Sequence, residues 1–332
     1  KGGVNGKKLE IIKYDMKSKP PLGANGAIEL IDKGAKLIIV PSDFDFGGPG
    51  AFVAQQKGVV TMAGASDPKF GSKGIGKFAF AMSNASFAEG ATLAEWAYKK
   101  QGWKKAYVLL DNTISYTKTL CAGFAERFKQ LGGAKSVVGD DKFMNKDPSI
   151  AAQITRIKSL KTKPAVIMLC SYAPGGPSAI RQLRAAGIDA PIVTGNSMDG
   201  DYWLGAVPKL SNFYVTNFGS KYGDDSDATV NAFFQRYAKK HGKPSTTSYS
   251  IRGYAMVEAF AKAAERAKST DGDKVVAELD KFKDEPLVIG PTTFTADHRI
   301  GVKRPVTIMK AENGKFSFVT RYAPESVPGM TK

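Results

Sequence analysis

Hydroxyl, acidic and aromatic side chains gather in five short segments, each of which follows an apolar run. The segments span residues 41–50, 64–68, 111–116, 171–177 and 195–203. Hydroxyls and backbone N–H groups at helix N-termini can hold a carboxylate, and aromatic rings can line the rest of a small-molecule site. The pattern therefore predicts a carboxylate-binding site. Its candidate residues are Ser42, Asp43, Phe44, Phe46, Gly64, Ala65, Ser66, Tyr116, Tyr172 and Trp203.

Each candidate also has an ordinary structural interpretation. A serine or an aspartate at such a position often caps a helix, and a loop tyrosine often packs against its neighbours. Gly64 and Ala65 are of interest because small residues let the backbone approach a ligand closely. Both interpretations stay open for every residue of the set.

The sequence offers little material for catalysis. Its two histidines, His241 and His298, are far in sequence from any candidate nucleophile and lack metal-ligand spacing. Residues 71–78 approximate a phosphate-binding loop, but Phe78 replaces the hydroxyl residue that would hold Mg²⁺, and a strand-like run follows instead of a helix. We therefore expect no enzyme activity, no metal site and no cofactor.

The composition further narrows the class of protein to which this sequence can belong. The net charge is +17, but the lysines and arginines are spread over amphipathic segments without a basic stripe, so we expect no nucleic-acid partner. No apolar run approaches the length needed to cross a bilayer, so we expect no membrane insertion. Cys121 and Cys170 are too few for a disulfide scaffold; their pairing stays open, with buried free thiols as the favoured state.

The segments are positioned by short apolar strands that alternate with amphipathic helices. This alternation predicts parallel sheets covered on both faces, and the length of 332 residues predicts two such α/β domains. Ligands then bind at the carboxyl ends of the strands. We predict strands at 9–14, 36–40, 59–63, 78–82, 106–110, 165–169, 191–194 and 213–216, helices at 23–33, 50–57, 87–101, 117–131, 150–160, 178–186, 228–241, 250–268 and 273–281, and a hairpin at 306–321.

The order of these features resembles the leucine/isoleucine/valine-binding protein family, the type I periplasmic solute receptors of ABC importers. The residues that carry the resemblance are Gly2-Gly3-Val4-Asn5-Gly6-Lys7-Lys8-Leu9-Glu10, Ala63-Gly64-Ala65-Ser66-Asp67-Pro68, the loop at 111–116 that ends in Tyr116, and the helix Ile180-Arg181-Gln182-Leu183-Arg184-Ala185-Ala186-Gly187. The resemblance covers nearly all of the chain.

The resemblance implies two doubly wound, Rossmann-like lobes joined by a three-crossing hinge, with the solute in the cleft between them. By similarity the crossings fall near 83–86, 216–219 and 304–310. Lobe 1 is expected to comprise 1–84 plus 218–305, and lobe 2 to comprise 85–217 plus 306–332. The expected partners are the permease subunits of an ABC importer, and the expected state is a periplasmic monomer whose signal peptide is absent from this chain.

Two features depart from the family pattern. The chain starts at the turn that normally follows the first strand and helix, so that strand and helix are expected to be missing. Amino-acid-binding members place an acidic residue after the strand at 191–194, where Ser197 stands here, although Asp199 or Asp201 could substitute with a shift in register. Ser197 and Asp199 therefore join the candidate ligand-binding residues.

The sequence thus predicts an extracytoplasmic receptor that delivers a small carboxylate to a permease. The solute is an aromatic or bulky apolar acid, or a hydrophobic or branched-chain amino acid, and the sequence leaves these open. The alternative is a sensory or regulatory ligand-binding domain of the same fold.

Overall fold

The fold is described from a computed structural model, which covers residues 3–329. Lys1, Gly2, Met330, Thr331 and Lys332 lie outside the described residues, and with them Gly2 of the glycine-rich turn and the last residues of lobe 2. The elements, in chain order, are α1 (Pro20–Asp32), β1 (Leu37–Val40), α2 (Phe44–Gln56), β2 (Val60–Ala63), β3 (Ala79–Asn84), α3 (Ser86–Glu95), β4 (Ala106–Asp111), α4 (Ser115–Gly132), β5 (Val137–Phe143), α5 (Ala151–Ser159), β6 (Val166–Cys170), α6 (Gly175–Ala185), β7 (Ile192–Thr194), β8 (Phe213–Asn217), α7 (Ala228–His241), α8 (Tyr249–Ala267), α9 (Gly272–Leu279), β9 (Glu285–Leu287), β10 (Gly290–Thr292), β11 (Ile300–Gly301), β12 (Val306–Glu312) and β13 (Lys315–Tyr322).

The chain divides into two compact units. Within the described residues, the first comprises 3–85 with 252–304, and the second comprises 86–251 with 305–329. The chain therefore passes between the units three times, after residues 85, 251 and 304. Residues 218–251, which the sequence analysis placed in lobe 1, group with the second unit by their contacts.

The first unit is built on a sheet of order β1-β2-β3-β11, in which all neighbouring strands are parallel. Strands β2 and β3 are buried throughout, as expected for a parallel sheet covered by helices. Helix α1 packs against α2, and a short antiparallel pair, β9 and β10, follows α9. The parallel α/β architecture predicted from the alternation is confirmed.

The second unit holds a seven-stranded sheet of order β13-β12-β8-β7-β6-β4-β5. Strands β8, β7, β6, β4 and β5 are parallel, and β12 runs antiparallel to both β8 and β13. The predicted hairpin is confirmed, since Asn313 and Gly314 join β12 to β13 with φ values of 51° and 73°. Positive φ at both turn positions favours this Asn-Gly pair.

Cys121 of α4 and Cys170 at the end of β6 form a disulfide, with their Cα atoms 5.8 Å apart. The expectation of free thiols was wrong. Helix α4 packs on β6 in the fold, and this brings together two cysteines that are separated by 49 residues in the sequence. Neither residue had a local sequence pattern that could reveal the pairing.

Three local predictions were also wrong. Residues 9–14 form no strand; Leu9 and Ile11 are exposed, and no described strand pairs with them. Helix α2 begins at Phe44 rather than near residue 50, because the Asp43 side chain caps it by accepting a hydrogen bond from the Asp45 N–H at 2.9 Å. Strand β5 was missed because it is a half-exposed edge strand that contains glycine and aspartate.

No helix in residues 3–329 is both long enough and apolar enough to cross a membrane.

Candidate functional site

In the first unit, two of the predicted segments leave the same edge of the sheet. Strands β1 and β2 are adjacent and parallel, and they end at Val40 and Ala63. The segment after β1 carries Ser42, Asp43, Phe44 and Phe46, and the segment after β2 carries Gly64, Ala65 and Ser66. The fold of this unit therefore brings these seven candidates together at the strand ends, where ligands bind in such sheets.

The segment after β1 presents a hydroxyl and two rings at the start of α2. Ser42 is exposed, whereas Phe44 and Phe46 lie in the first turn of the helix and are half-buried. The Phe44 ring stands edge-on to Phe70 with centroids 6.5 Å apart, and the Lys69 ammonium lies 5.9 Å from the Phe44 centroid. Phe44 is thus fixed from one side and open on another.

Asp43 serves as the N-cap of α2, so its ordinary structural role is present in the fold. Burial, reinforced by the negative charges of Asp45 and Asp67, raises the pKa of Asp43 from 3.8 to about 6. Hydrogen bonding to the Asp45 N–H opposes that shift. Asp43 therefore changes its charge in the mildly acidic range, next to Ser42.

The segment after β2 is buried and closely surrounded. Ser66 is only 4% exposed, and a Cβ atom at Gly64 would lie 2.5 Å from the guanidinium carbon of Arg252. Position 64 thus has no room for a side chain because a buried arginine occupies that space. Arg252 lies in α8 and was not among the residues predicted from the sequence.

Arg252 connects three segments of the first unit. Its Nη2 donates to Ser42 Oγ at 2.7 Å, and its Nη1 donates to the Gly64 carbonyl oxygen at 2.9 Å and to Ser83 Oγ at 3.2 Å. Ser83 Oγ also donates to the Gly64 carbonyl at 2.8 Å. A positive charge therefore lies directly behind the two candidate loops.

In the second unit, Asp111 organises the segments after β4 and β6. Its Oδ1 accepts from the Thr113 N–H and hydroxyl, and its Oδ2 accepts from Asn145 Nδ2 at 2.7 Å and from Ser171 Oγ at 2.8 Å. Asn145 Nδ2 also donates to the Tyr172 carbonyl oxygen at 2.9 Å. This network fixes the backbone of the predicted loop at Tyr172, whose side chain is half-buried.

Glu89 of α3 is the second residue that the sequence analysis missed. Its carboxylate is 2% exposed and accepts from the Asn196 N–H, from the Asn196 side-chain amide, and from the hydroxyls of Tyr116 and Thr216. Burial raises the pKa of Glu89, and these hydrogen bonds oppose the rise. Tyr116 and the segment after β7 are thereby held by one buried carboxylate.

The segment after β7 holds its candidates in different ways. Ser197 is half-buried, and its hydroxyl donates to the Ser171 carbonyl at 2.6 Å. Asp199 is buried; its Oδ2 accepts from the N–H and the hydroxyl of Ser248 at 2.6 Å, and its Oδ1 accepts from Asn217 at 3.3 Å. Burial raises the pKa of Asp199. Its oxygens thus serve to tie this segment to β8 and to the residues just before α8.

In the second unit, Tyr116 lies in the first turn of α4, which follows β4, whereas Tyr172 follows β6 and Ser197 and Asp199 follow β7. Tyr116 is 8% exposed and directs its hydroxyl to Glu89. Trp203 is not a wall of the site, because it is buried in the hydrophobic core and donates to the Met198 carbonyl. Within residues 3–329, no group of three or more His, Cys, Asp or Glu side chains could hold a metal ion.

Two parallel α/β units with hydroxyl-bearing loops at their strand ends have the architecture of a solute-binding protein. The sequence model of the periplasmic binding protein family matches residues 1–315, and the chain belongs to this family. Its members are solute-binding proteins.

Relatives and solved structures agree with this assignment. The Leu/Ile/Val-binding protein BraC3 of Rhizobium johnstonii is 24% identical over 301 residues, which cover 89% of this chain and 78% of that protein. The leucine-binding protein LivK of Thermotoga maritima superposes with a TM-score of 0.82 at 24% identity, covering 98% of this chain and 91% of that one. A solute-binding protein of an ABC transporter from R. palustris, solved in complex with benzoate, superposes with a TM-score of 0.79 at 19% identity. The match covers 99% of this chain and 89% of that one. These structures share the fold of the present chain.

Proposed function

We propose that this protein is the extracytoplasmic receptor of an ABC importer and that its solute is a small carboxylate. The observation that carries the proposal is the group of hydroxyls and small residues at the ends of β1 and β2, backed by the Arg252 guanidinium. Ser42, Ser66 and the backbone N–H groups of the Gly64-Ala65-Ser66 segment would hold the carboxylate. Charge-assisted hydrogen bonds of this kind are about twice as strong as neutral ones.

The relatives support a carboxylate as the common chemistry of the solute. One solved neighbour is a leucine-binding protein and another holds benzoate, and both of these solutes carry a carboxylate. They differ in the ammonium group, which leucine has and benzoate lacks. The side chains that would meet an ammonium therefore decide between the two classes.

We favour an acid with an aromatic or bulky apolar body over an amino acid. Phe44 and Phe46 offer apolar surface in the first unit, and Tyr172 does so in the second. Asp199, the acidic candidate after β7, already accepts hydrogen bonds from Ser248 and Asn217. An ammonium ligand would have to compete with these partners for a buried carboxylate, and this is a cost that a plain organic acid avoids.

The receptor role requires binding without chemistry, and we propose that the protein is no enzyme. The disulfide between Cys121 and Cys170 supports export, because such bonds persist in oxidising compartments such as the bacterial periplasm. Delivery to the permease by a monomeric receptor completes the proposed role.

The proposal is tested by a thermal-shift screen followed by calorimetry. The screen contains branched-chain and aromatic amino acids, benzoates and cinnamates, and we expect at least one carboxylate to raise Tm. Replacing Ser66 with alanine removes one donor to a charged group and should weaken that binding roughly tenfold to a hundredfold.

Ser269→Ala is the matched control, since it makes the same chemical change in the first unit beyond the far end of α8. The Ser269→Ala variant should bind the carboxylate as tightly as the native chain does. Unchanged affinity in Ser66→Ala would remove Ser66 from the site, and the absence of any stabilising carboxylate would overturn the proposed function.

A further inference from the structure

We infer that Arg252 is a positioning residue that makes the first-unit site selective for anions, because it orients the Ser42 hydroxyl and the Gly64 peptide toward a carboxylate. The inference rests on the proposed function and adds to it a residue and a basis for specificity. The carboxylate is held by Ser42 and the segment after β2, and Arg252 acts on it through them.

The placement of Arg252 is unusual for an arginine. It is 4% exposed, although arginine is among the residues that are almost never fully buried. Its guanidinium contacts segments that follow β1 and β2, together with Ser83 in β3. A buried charge with donors spread over three strands lowers the free energy of any anion that binds at their ends.

The contact with Ser42 fixes the direction in which its hydroxyl acts. A serine hydroxyl has one proton to donate and lone pairs that accept. Arg252 Nη2 donates to Ser42 Oγ at 2.7 Å and so occupies an acceptor position. The Ser42 proton is left to donate elsewhere, and a donor that itself accepts a charged hydrogen bond is strengthened. Ser42 is exposed and can therefore offer this proton to an anion.

The contact with Gly64 fixes the neighbouring peptide. The Gly64 carbonyl accepts from both Arg252 Nη1 at 2.9 Å and Ser83 Oγ at 2.8 Å. In a trans peptide the following N–H points opposite to the carbonyl, so the Ala65 N–H is directed away from Arg252. A side chain at position 64 would push the guanidinium out of these contacts, so glycine permits the close approach of Arg252 to this peptide.

These contacts predict discrimination between an acid and its neutral amide of the same shape. A carboxylate benefits from the oriented donors and from the charge behind them, whereas an amide presents only one acceptor and adds an N–H group. The native chain should therefore bind benzoate or 4-methylpentanoate more tightly than benzamide or 4-methylpentanamide. The ratio of the two Kd values measures the contribution of the anion-selective arrangement.

The experiment is a set of calorimetric titrations of the native chain, Arg252→Gln, Arg252→Lys and Arg299→Gln with these four compounds. Arg299 is the matched control, because it is a buried arginine of the first unit whose guanidinium pairs with Asp280. We expect Arg252→Gln to reduce the amide-to-acid Kd ratio roughly tenfold to a hundredfold. Arg252→Lys should retain part of it, and Arg299→Gln should leave it unchanged.

If Arg252 had only a structural role, its replacement would weaken the binding of the acid and of the amide equally. An unchanged amide-to-acid Kd ratio in Arg252→Gln would therefore overturn the inference. If that variant does not fold, the ratio in Arg252→Lys decides, since lysine keeps the charge but cannot make the same forked contacts. A native ratio retained in full by Arg252→Lys then overturns the orienting role. If the native chain binds neither acid nor any other carboxylate of the screen, the proposed function fails first.

Ser42→Ala supplies an independent check. If Arg252 acts through Ser42, Arg252→Gln should change the ratio less in the Ser42→Ala background than in the native chain, since interacting residues are non-additive. Equal effects in both backgrounds would contradict this step.

Discussion

Glu89 is predicted to hold the loop after β7 and Tyr116 in place, and its removal tests this part of the structure. In Glu89→Ala, the N–H and amide of Asn196 and the hydroxyls of Tyr116 and Thr216 all lose an acceptor. Each buried donor left unsatisfied costs about 1–3 kcal/mol, but the two hydroxyls can rotate toward other partners. We therefore expect a loss of about 3–5 kcal/mol in the free energy of unfolding of the second unit. Glu89→Gln keeps the shape and one acceptor oxygen, and should lose about 1–3 kcal/mol.

Urea unfolding followed by tryptophan fluorescence measures this effect. The three tryptophans of the chain, Trp96, Trp103 and Trp203, all belong to the second unit, so the signal reports on that unit. Because burial raises the pKa of Glu89, its protonated form contributes stability that is full at low pH and is lost as the pH rises through the raised pKa. Glu89→Gln should remove that part of the pH dependence.

Glu95→Gln is the control for unspecific destabilisation. Glu95 is also buried in α3, but its partners are Arg127, Tyr322 and the Glu325 N–H. It should lower stability without changing the solute affinity of the folded protein, whereas the Glu89 variants should change both. A Glu89→Ala variant within about 0.5 kcal/mol of the native chain would refute the reasoning, because that is the range of substitutions away from such features.

Two further predictions concern the disulfide and Asp43. Replacing Cys121 and Cys170 with alanine removes a disulfide that joins residues separated by 49 positions in the sequence. Loop-closure entropy in the unfolded chain predicts a loss of about 4 kcal/mol in the free energy of unfolding, so the urea midpoint measured by fluorescence should fall markedly. An unchanged midpoint would show that the bond does not form. The folded-state pKa of Asp43 is raised from 3.8 to about 6, so its protonated form contributes stability that is full below pH 3.8 and is lost as the pH rises through 6. The native chain and Asp43→Asn are compared by circular dichroism, which gives the free energy of unfolding of each across this pH range. The difference between the two should change by up to about 3 kcal/mol, and by less to the extent that solvent screens the group. A difference that does not depend on pH would contradict the raised pKa.

Local sequence patterns were sufficient to predict those helices, strands and turns that are determined by their own residues. Helix α7 follows from its apolar spacing and its Asp227 cap, and the hairpin turn follows from Asn313-Gly314. The strands that precede the candidate loops are apolar runs bounded by turns. The candidate loops could therefore be located from the sequence.

What the sequence could not reveal depends on partners that are distant along the chain. Glu89 is separated by 107 residues from Asn196 and by 127 from Thr216, and Arg252 is separated by 210 from Ser42. In the sequence both residues look like ordinary members of amphipathic helices. Residues 9–14 show the converse error, since their β-type pattern forms no strand where no strand of residues 3–329 pairs with them.

Calorimetric titration of the native chain with benzoate and benzamide, and with 4-methylpentanoate and its amide, tests the central claim most directly. We predict that at least one acid binds with one-to-one stoichiometry, at least about tenfold more tightly than its amide, and is recovered chemically unchanged. Equal affinities for an acid and its amide, or conversion of the bound acid, would contradict a carboxylate receptor.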